Sequence, residues 1–233
     1  ESGVKMLEEL CGIPVLGIVP YYKDIHIEEE DSVALAFKAV QAERGKVNVA
    51  VVLLRHLSNF TDFNVLERDP RVHLFYTNNV DELAKADIIL LPGSKNTIDD
   101  LYELRQNGVA QAILQAHRGG ATVMGICGGY QIMGQQILDP NHVEGELEAL
   151  PGLGLLPTIN CMSGEKVTCQ VKFCMCHEPS EMLEGYEIHM GVTTPLEGET
   201  MQPLNYMENG NPEGCKVDDT CMGTYIHGIL DNP

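Results

Sequence analysis

Four short apolar runs follow one another through the middle of the chain, separated by polar or amphipathic stretches. Each run is rich in Val, Ile and Leu and is too short for an ordinary helix. Such runs are typical of parallel strands that are buried on both faces of a sheet. They are VNVAVVLL (47–54), VHLFY (72–76), DIILLPG (87–93) and ATVMGI (121–126). The pattern predicts an α/β fold, with a mostly parallel sheet flanked by helices on both faces.

Amphipathic stretches indicate where the helices lie. TIDDLYELRQ and VAQAILQAHR predict two helices between residues 97 and 118, separated by Gly108. Residues 28–45 carry apolar side chains at helical spacing, Val33 and Phe37 among them, before a glycine stop. This segment is expected to be a helix that links the N-terminal residues to the sheet.

The pattern changes beyond residue 150. In VTCQVKFCMCH (167–177) apolar and polar residues alternate, which predicts a half-buried strand of an antiparallel region. YEIHMGV (186–192) and TCMGTYIHG (220–228) predict further strands, and residues 195–214 are expected to form a long polar loop. The fold should therefore end in a C-terminal antiparallel portion.

The composition excludes several classes of partner. The net charge of −19 disfavours nucleic acid and anionic membranes, because the electrostatic term that drives such binding would be repulsive. There is no run of 18 apolar residues and no signal-peptide pattern, so we expect a cytoplasmic protein. The eight cysteines are irregularly spaced and are expected to be reduced. No metal site is expected, since strand alternation separates Cys169 from Cys174 and Cys176.

The best candidate for chemistry is Cys127. It follows the run ATVMGI and precedes GGYQIMGQQIL, within the pattern Gly-x-Cys-x-Gly. A strand, a sharp turn and a helix in this order form a nucleophile elbow, which exposes the side chain at the edge of the sheet. The helix N-terminus favours a thiolate, and the backbone N–H of Gly128 is a natural oxyanion donor.

A cysteine nucleophile needs a base, and the chain has eight histidines. His227, in GTYIHG, lies at the end of a predicted strand and is followed by a glycine. His189, in YEIHMG, is its competitor. Spacing alone favours His227 but leaves both possible.

Four stretches resemble, in the expected order, the motifs of class I glutamine amidotransferase domains of the cobyric acid synthase and cobyrinic acid a,c-diamide synthase group. They are LLPGSKNT (90–97), MGICGGYQIMG (124–134), GYEIHMG (185–191) and GTYIHGILDNP (223–233). HLSNFTDF (56–63) is similar to a stretch typical of the cobyric acid synthase branch. Residues 3–31 resemble the tail of the ATP-dependent amide synthetase domain that precedes the glutaminase in these enzymes.

The resemblance implies three segments: a synthetase remnant at residues 1–30, a linking helix at 31–45 and a glutamine amidotransferase domain at 46–233. It implies that Cys127 forms a thioester with glutamine, that His227 is the catalytic histidine, and that Gly93 and Ser94 complete the oxyanion hole. Ammonia would reach a corrinoid carboxylate through the synthetase domain. No cofactor is expected in this domain, because the chain has no Walker motif; ATP and Mg would belong to the synthetase.

One departure from the family pattern concerns the third member of the triad. Many class I domains carry a carboxylate two residues after the histidine, where this chain has Ile229. The third member is then absent, replaced by Asp231, or supplied by another domain. His189 contacts substrate or is an ordinary hydrogen-bonded residue, and HLSNFTDF would otherwise be a local turn in which Asn59 and Asp62 bond to nearby backbone.

Three other functions fit the same fold. The domain could serve cobyrinic acid a,c-diamide synthase, although HLSNFTDF argues against this. It could be the related subunit that amidates a peptidoglycan precursor, where no synthetase remnant is expected at the start. It could also be an inactive scaffold domain, which the elbow cysteine and the strand-end histidine disfavour.

Overall fold

The computed structural model describes residues 2–18 and 38–232. Contacts divide the chain into two units, Glu1–Glu30 and Asp31–Pro233. In the first unit, helix α1 spans Ser2–Cys11, and the Val15 N–H donates to the Glu8 carboxylate over 3.0 Å. The main sheet and the other elements named below belong to the second unit.

The second unit contains strands that form one large parallel sheet, one antiparallel sheet and one small pair. Its strands are β1 (Val47–Val52), β2 (Leu57–Ser58), β3 (Val72–Thr77), β4 (Ile88–Leu91), β5 (Gly93–Ser94), β6 (Thr122–Ile126), β7 (Gln136–Leu138), β8 (Ala149–Pro151), β9 (Thr158–Met175), β10 (Glu178–Pro195), β11 (Asn205–Met207), β12 (Pro212–Glu213), β13 (Cys215–Asp218), β14 (Cys221–Thr224) and β15 (Ile226–His227). Its α-helices are α2 (Val80–Leu83), α3 (Thr97–Gln106), α4 (Val109–Arg118) and α5 (Gly128–Met133). Short 3-10 helices span Phe60–Phe63, Leu66–Arg68 and Ile229–Asp231.

The main sheet has six strands in the order β13-β14-β6-β4-β1-β3. All neighbours in it are parallel except the edge strand β13, which runs antiparallel to β14. The four apolar runs therefore form adjacent parallel strands, as predicted, and the two helices predicted between residues 97 and 118 are α3 and α4.

The two faces of the main sheet pack differently. Alternate residues of β1, such as Ala50 and Val52, belong to a core shared with α3, α4 and α5. Val49 and Val51 point to the opposite face and share a second core with Phe63, Phe173, Leu183 and Ile226. Among the described residues, that face packs against the 3-10 helix Phe60–Phe63 and the antiparallel sheet.

The second sheet is antiparallel along the order β12-β11-β9-β10-β15; β7 runs parallel to β9, and β8 pairs with β7. The single strand expected over residues 220–228 is in fact two strands in different sheets. β14 belongs to the main sheet, next to β6, the strand that precedes Cys127, and β15 pairs with β10. The chain thus changes sheets at Tyr225, which carries His227 to the end of β6.

Three local expectations were wrong. Residues 38–45 contain bends and a turn and no helix; the remainder of the predicted linking helix lies outside the described residues. Residues 195–214 contain β11 and β12 and are not simply a loop. The strand over 167–177 exists, but Val167 and Cys169 are exposed and burial begins only near Phe173. Among the described residues, this part of β9 pairs only with β10, because β7 lies beside β9 at Ile159–Cys161 and β11 lies beside it from Phe173 onwards.

Candidate active site

Cys127 sits in the strained turn that the sequence predicts. Strand β6 ends at Ile126, helix α5 begins at Gly128, and Cys127 between them has φ 54° and ψ −112°, which is unusual for any residue with a side chain. Its N–H donates to the Thr224 carbonyl over 2.8 Å, which fastens the turn to β14. The thiol is 6% exposed and donates to the Ile188 carbonyl over 3.4 Å.

The glycines around Cys127 are required by close backbone contacts. A Cβ at Gly129 would lie 1.9 Å from the Leu91 carbonyl oxygen, and a Cβ at Gly125 would lie 2.6 Å from the backbone of Gly129. Helix α5 therefore packs directly onto the ends of β4 and β6. The two glycines of the Gly-x-Cys-x-Gly pattern have no side chain and therefore allow strand, turn and helix to pack this closely.

His227 is the histidine that the fold brings to the elbow. Strand β15 pairs with β10, with His227 opposite Tyr186, and the two rings stack at 5.1 Å with an interplanar angle of 17°. His227 is fully buried. Its Nδ1 lies 2.7 Å from Oδ2 of Asp62, and the other oxygen of Asp62 accepts the Gly228 N–H over 3.0 Å.

Asp62 is a partner that the sequence analysis missed. The alternative interpretation of HLSNFTDF as a local turn gives Asp62 nearby backbone partners, but its carboxylate bonds to residues 165 and 166 positions away. Asp62 lies in the 3-10 helix Phe60–Phe63 between two buried phenylalanines, and it is 3% exposed. The sequence signal was an aspartate between two phenylalanines in FTDF (60–63). Phenylalanines favour burial, and a buried carboxylate needs a partner.

The alternative carboxylate, Asp231, lies in the last 3-10 helix and is exposed. The Nδ1 position of His227 is occupied by Asp62 instead. Asp62, and not Asp231, therefore accepts the hydrogen bond from Nδ1 of His227. That bond needs no carboxylate from another domain.

A small strand pair brings Asp62 to this place. β2 pairs with β5 in antiparallel fashion, with Ser58 opposite Gly93. The stretches HLSNFTDF and LLPGSKNT therefore pair through β2 and β5, just beyond the C-terminal end of β4. Asn59, in the left-handed region with φ 53°, donates from its side chain to the Tyr186 hydroxyl over 2.8 Å. That contact fixes the ring that stacks on His227.

The charges around His227 favour its protonated form. Burial lowers the pKa of His227, but the hydrogen bonds and charges of Asp62 and Cys127 raise it more strongly, and the result is about 9. Nε2 is buried and has no well-formed hydrogen bond to any described residue. An imidazolium held between a carboxylate and a thiol is the arrangement that stabilises a thiolate.

The three predicted oxyanion residues meet beside Cys127. A Cβ at Gly93 would lie 3.4 Å from Cε1 of His227, and a Cβ at Gly128 would lie 2.8 Å from the Ser94 backbone nitrogen. The Ser94 hydroxyl donates to buried Asp100 over 2.5 Å, which holds this loop in place. The backbone nitrogen of Ser94, on β5, therefore lies beside Gly128, the residue that follows the nucleophile.

Cys127, His227 and Asp62 together are called the relay below. His189 lies in the site but is not part of the relay. It stacks on Tyr225 at 3.8 Å, and its Nδ1 is buried without a partner among the described residues. Burial and the charge of His227 lower the pKa of His189 below its ordinary value, although a backbone hydrogen bond at Gly191 opposes this. The structure therefore places His227, not His189, on the carboxylate.

The thiol opens into a cavity of about 280 Å³. Cys127 and His189 line it together with Asn59 and with several polar side chains to which the sequence analysis assigned no role: Ser58, Lys95, Thr97, Gln131, Glu144 and Lys166. Gln131 is oriented by Thr97, Tyr225 and the Met190 carbonyl. Two larger clefts, of about 540 and 510 Å³, are lined by neither Cys127 nor His227.

Residues 48–233 match the family described as the CobB/CobQ-like glutamine amidotransferase domain. A cobyric acid synthase of Bacteroides fragilis is 73% identical over 233 residues, which cover all of this chain and 47% of that protein. A cobyric acid synthase of Phocaeicola vulgatus is 70% identical over 232 residues, again covering 100% of this chain and 47% of that protein. The chain thus spans about half the length of these curated relatives.

Solved structures share the fold at low identity. The PurLQS structure from Thermotoga maritima superposes with a TM-score of 0.58 at 17% identity, covering 78% of this chain and 87% of that one. A glutamine amidotransferase crystal structure gives 0.57 at 16% identity, covering 77% and 89%. These likenesses confirm the predicted fold class. No helix among the described residues is long and apolar enough to span a membrane.

Proposed function

Because the chain belongs to the family of CobB/CobQ-like glutamine amidotransferase domains, we propose that Cys127, His227 and Asp62 act together to hydrolyse glutamine and release ammonia. The observation that carries this proposal is the buried relay. The elbow thiol, the fully buried His227 and the 2.7 Å contact to Asp62 come from three distant parts of the chain.

The first half of the reaction forms a thioester. The Cys127 thiolate attacks the side-chain amide carbon of glutamine, and the negative charge that develops on the oxygen is stabilised by backbone N–H groups of β5 (Gly93–Ser94) and of Gly128. His227 donates a proton from Nε2 to the departing nitrogen, so the C–N bond breaks and ammonia leaves. Asp62 keeps the ring oriented and stabilises its charged form.

The second half releases glutamate. His227 is neutral after giving up its proton, and it accepts a proton from a water molecule that attacks the thioester carbonyl. The C–S bond then breaks and the thiolate is restored beside the imidazolium. The same oxyanion donors serve both halves, because both pass through a tetrahedral intermediate at the same carbon.

The proposed acceptor of the ammonia lies outside this chain. Relatives of about twice its length are called cobyric acid synthases, which supports the proposal that the chain is the glutaminase half of such an enzyme. Corrinoid carboxylates would be amidated in the synthetase half, where ATP and Mg belong. Residues 1–30 would then be the end of that half, residues 31–45 the connection, and residues 46–233 the glutaminase.

Glutamate release from glutamine tests the proposal. The assay is run on this chain and on the chain joined to the synthetase half that its relatives contain. Cys127→Ser and His227→Ala should abolish release, whereas Cys11→Ser, which changes an exposed thiol in the first unit, should not. Absence of glutamate release from both forms of the wild-type protein would favour an inactive scaffold instead.

A further inference from the structure

A buried carboxylate lies beside the change of sheet and takes no part in the relay. Glu213, in β12, is 8% exposed. Its Oε1 accepts the Tyr225 N–H over 2.7 Å, and its Oε2 accepts the Asn205 amide over 2.7 Å and the Thr224 hydroxyl over 2.8 Å. Burial raises the pKa of Glu213, and the hydrogen bonds from Asn205, Tyr225 and Thr224 oppose this rise. Three donors thus hold this carboxylate in one position.

Two of these donors lie where the chain passes from the main sheet to the antiparallel sheet. Thr224 is the last residue of β14, and Tyr225 follows it and belongs to neither strand. The Thr224 hydroxyl also accepts the Ile226 N–H over 3.0 Å. Glu213 therefore fixes residues 224–226, the first two directly and the third through a hydroxyl group.

The same short segment positions both reactive side chains. The Thr224 carbonyl accepts the Cys127 N–H over 2.8 Å, and His227 follows Ile226 in β15. A shift of the Glu213 carboxylate would therefore move the acceptor of the Cys127 N–H and the start of β15 together. Glu213 does not line the cavity into which the thiol opens.

Close backbone packing holds Glu213 itself in place. Gly214 has φ 68°, and a Cβ there would lie 2.6 Å from the Gly223 carbonyl oxygen, so this position requires a glycine. On the other side, β12 pairs with β11, where the fully buried Asn205 lies opposite Glu213. The carboxylate is thus held between a strand of the main sheet and a strand of the antiparallel sheet.

Resting on the proposed function, we infer that Glu213 is a positioning residue that holds residues 224–226 so that the Cys127 thiol and the His227 ring keep their catalytic distance. Glu213 neither lines the cavity nor bonds to a member of the relay. Its effect on the reaction passes through Thr224 and Tyr225. A change at Glu213 should therefore lower the rate in the folded protein without weakening the binding of glutamine.

Glu213→Gln tests this role, because it keeps an oxygen for the Tyr225 N–H but turns an amide group towards the donors of Asn205 and Thr224. Glutamate release is assayed on the chain joined to the synthetase half, and complete labelling of Cys127 with a glutamine-mimicking electrophile counts the intact sites. We expect kcat per labelled site to fall at least about tenfold, because a misplacement of about 1 Å can cost about a hundredfold in rate. KM for glutamine should stay within about twofold of wild type.

The pH profile of kcat should change as well. Cys127 is among the groups that raise the pKa of His227, and its contribution becomes smaller as the two side chains separate. The decline of the rate at high pH should therefore begin at a lower pH in Glu213→Gln. In the double variant Asn205→Asp, Glu213→Gln the carboxylate and the amide exchange places, and most of the lost kcat should return.

Glu82→Gln is the matched control, since Glu82 in α2 is also buried and accepts the Ala42 N–H over 2.9 Å, but does not line the cavity. It should lower Tm and leave kcat per labelled site unchanged. Wild-type kcat and pH profile in folded Glu213→Gln overturn the inference and leave the glutaminase proposal intact. If that variant does not fold, Glu213→Asp, which retracts the carboxylate and keeps its charge, is judged by the same criteria. Absence of glutamate release by the wild-type protein overturns both proposals.

Discussion

Replacing Asp62 by Asn tests the residue that the structure adds to the predicted pair. The substitution preserves size and removes the charge next to Nδ1 of His227. The buried ring would then lack the carboxylate that favours its protonated form, while burial, which lowers the pKa of His227, remains. We expect the pKa of His227 to be lower in this variant than in the wild-type protein.

The size of the effect follows from the pKa of His227. This pKa is raised from 6.5 to about 9, and one unit corresponds to 1.36 kcal/mol, so the imidazolium is stabilised by about 3 kcal/mol. Asp62 is the first of the groups that raise this pKa, so its loss should lower the equilibrium constant for the thiolate–imidazolium pair by up to about a hundredfold. The ring of the wild-type protein is almost fully protonated at pH 7, so kcat/KM for glutamine should fall about fourfold there and by about a hundredfold near pH 9.

Glutamate release measured from pH 5.5 to 10 distinguishes this mechanism from simple destabilisation. The wild-type rate should decline as the pH rises through about 9, and the Asp62→Asn variant should show the decline at a lower pH. Asp231→Asn, which changes the exposed carboxylate near the C-terminus, should remain within about twofold of wild type. A folded Asp62→Asn variant with the wild-type rate and pH profile would refute the reasoning.

Three further predictions concern stability and packing. Because the pKa of His227 is higher in the folded state, its contribution to the free energy of unfolding is complete below about pH 6.5 and disappears as the pH rises through about 9. Chemical denaturation of the wild-type protein and of Asp62→Asn should therefore give unfolding free energies whose difference becomes smaller across this pH range. Gly129→Ala places a Cβ against the Leu91 carbonyl and should destabilise the protein by at least about 2 kcal/mol in thermal unfolding, whereas Gly164→Ala, with open space around it, should change little. Tyr225→Phe leaves the polar groups of Gln131, Asn160 and Thr193 without their shared hydroxyl partner, so calorimetry should show a loss of about 1–3 kcal/mol.

The parts of the fold that the sequence predicts are those with a local pattern. Each apolar run of the main sheet is buried on both faces, and α3 and α4 carry their own stop signals, so their positions can be read from neighbouring residues. The change of sheet at Tyr225 has no such pattern. It depends on β14 and β15 finding partners more than thirty residues away, and a single apolar stretch does not show where a chain leaves one sheet for another.

The same distinction applies to the site. Cys127 is visible in the sequence because strand, glycines and helix lie side by side along the chain. The relay is not, because Asp62 meets His227 across 165 residues through the β2–β5 pair. The spacing of two residues that many class I domains show leads from His227 to Ile229, which has no carboxylate. The nearest acidic residue after it is Asp231. The partner of a buried charge is determined by the tertiary fold, and so its identity requires the structure.

The most direct test of the central claim is the reaction of the eight cysteines with a glutamine-mimicking electrophile, followed by mass spectrometry of each cysteine peptide. Cys127 is 6% exposed, while Cys11, Cys161 and Cys169 are exposed, so accessibility alone predicts that Cys127 reacts slowly. The account predicts the reverse: Cys127 is modified first, glutamine protects it, and His227→Ala slows the reaction. Modification that follows exposure, with Cys127 spared, would contradict a nucleophilic role for this thiol.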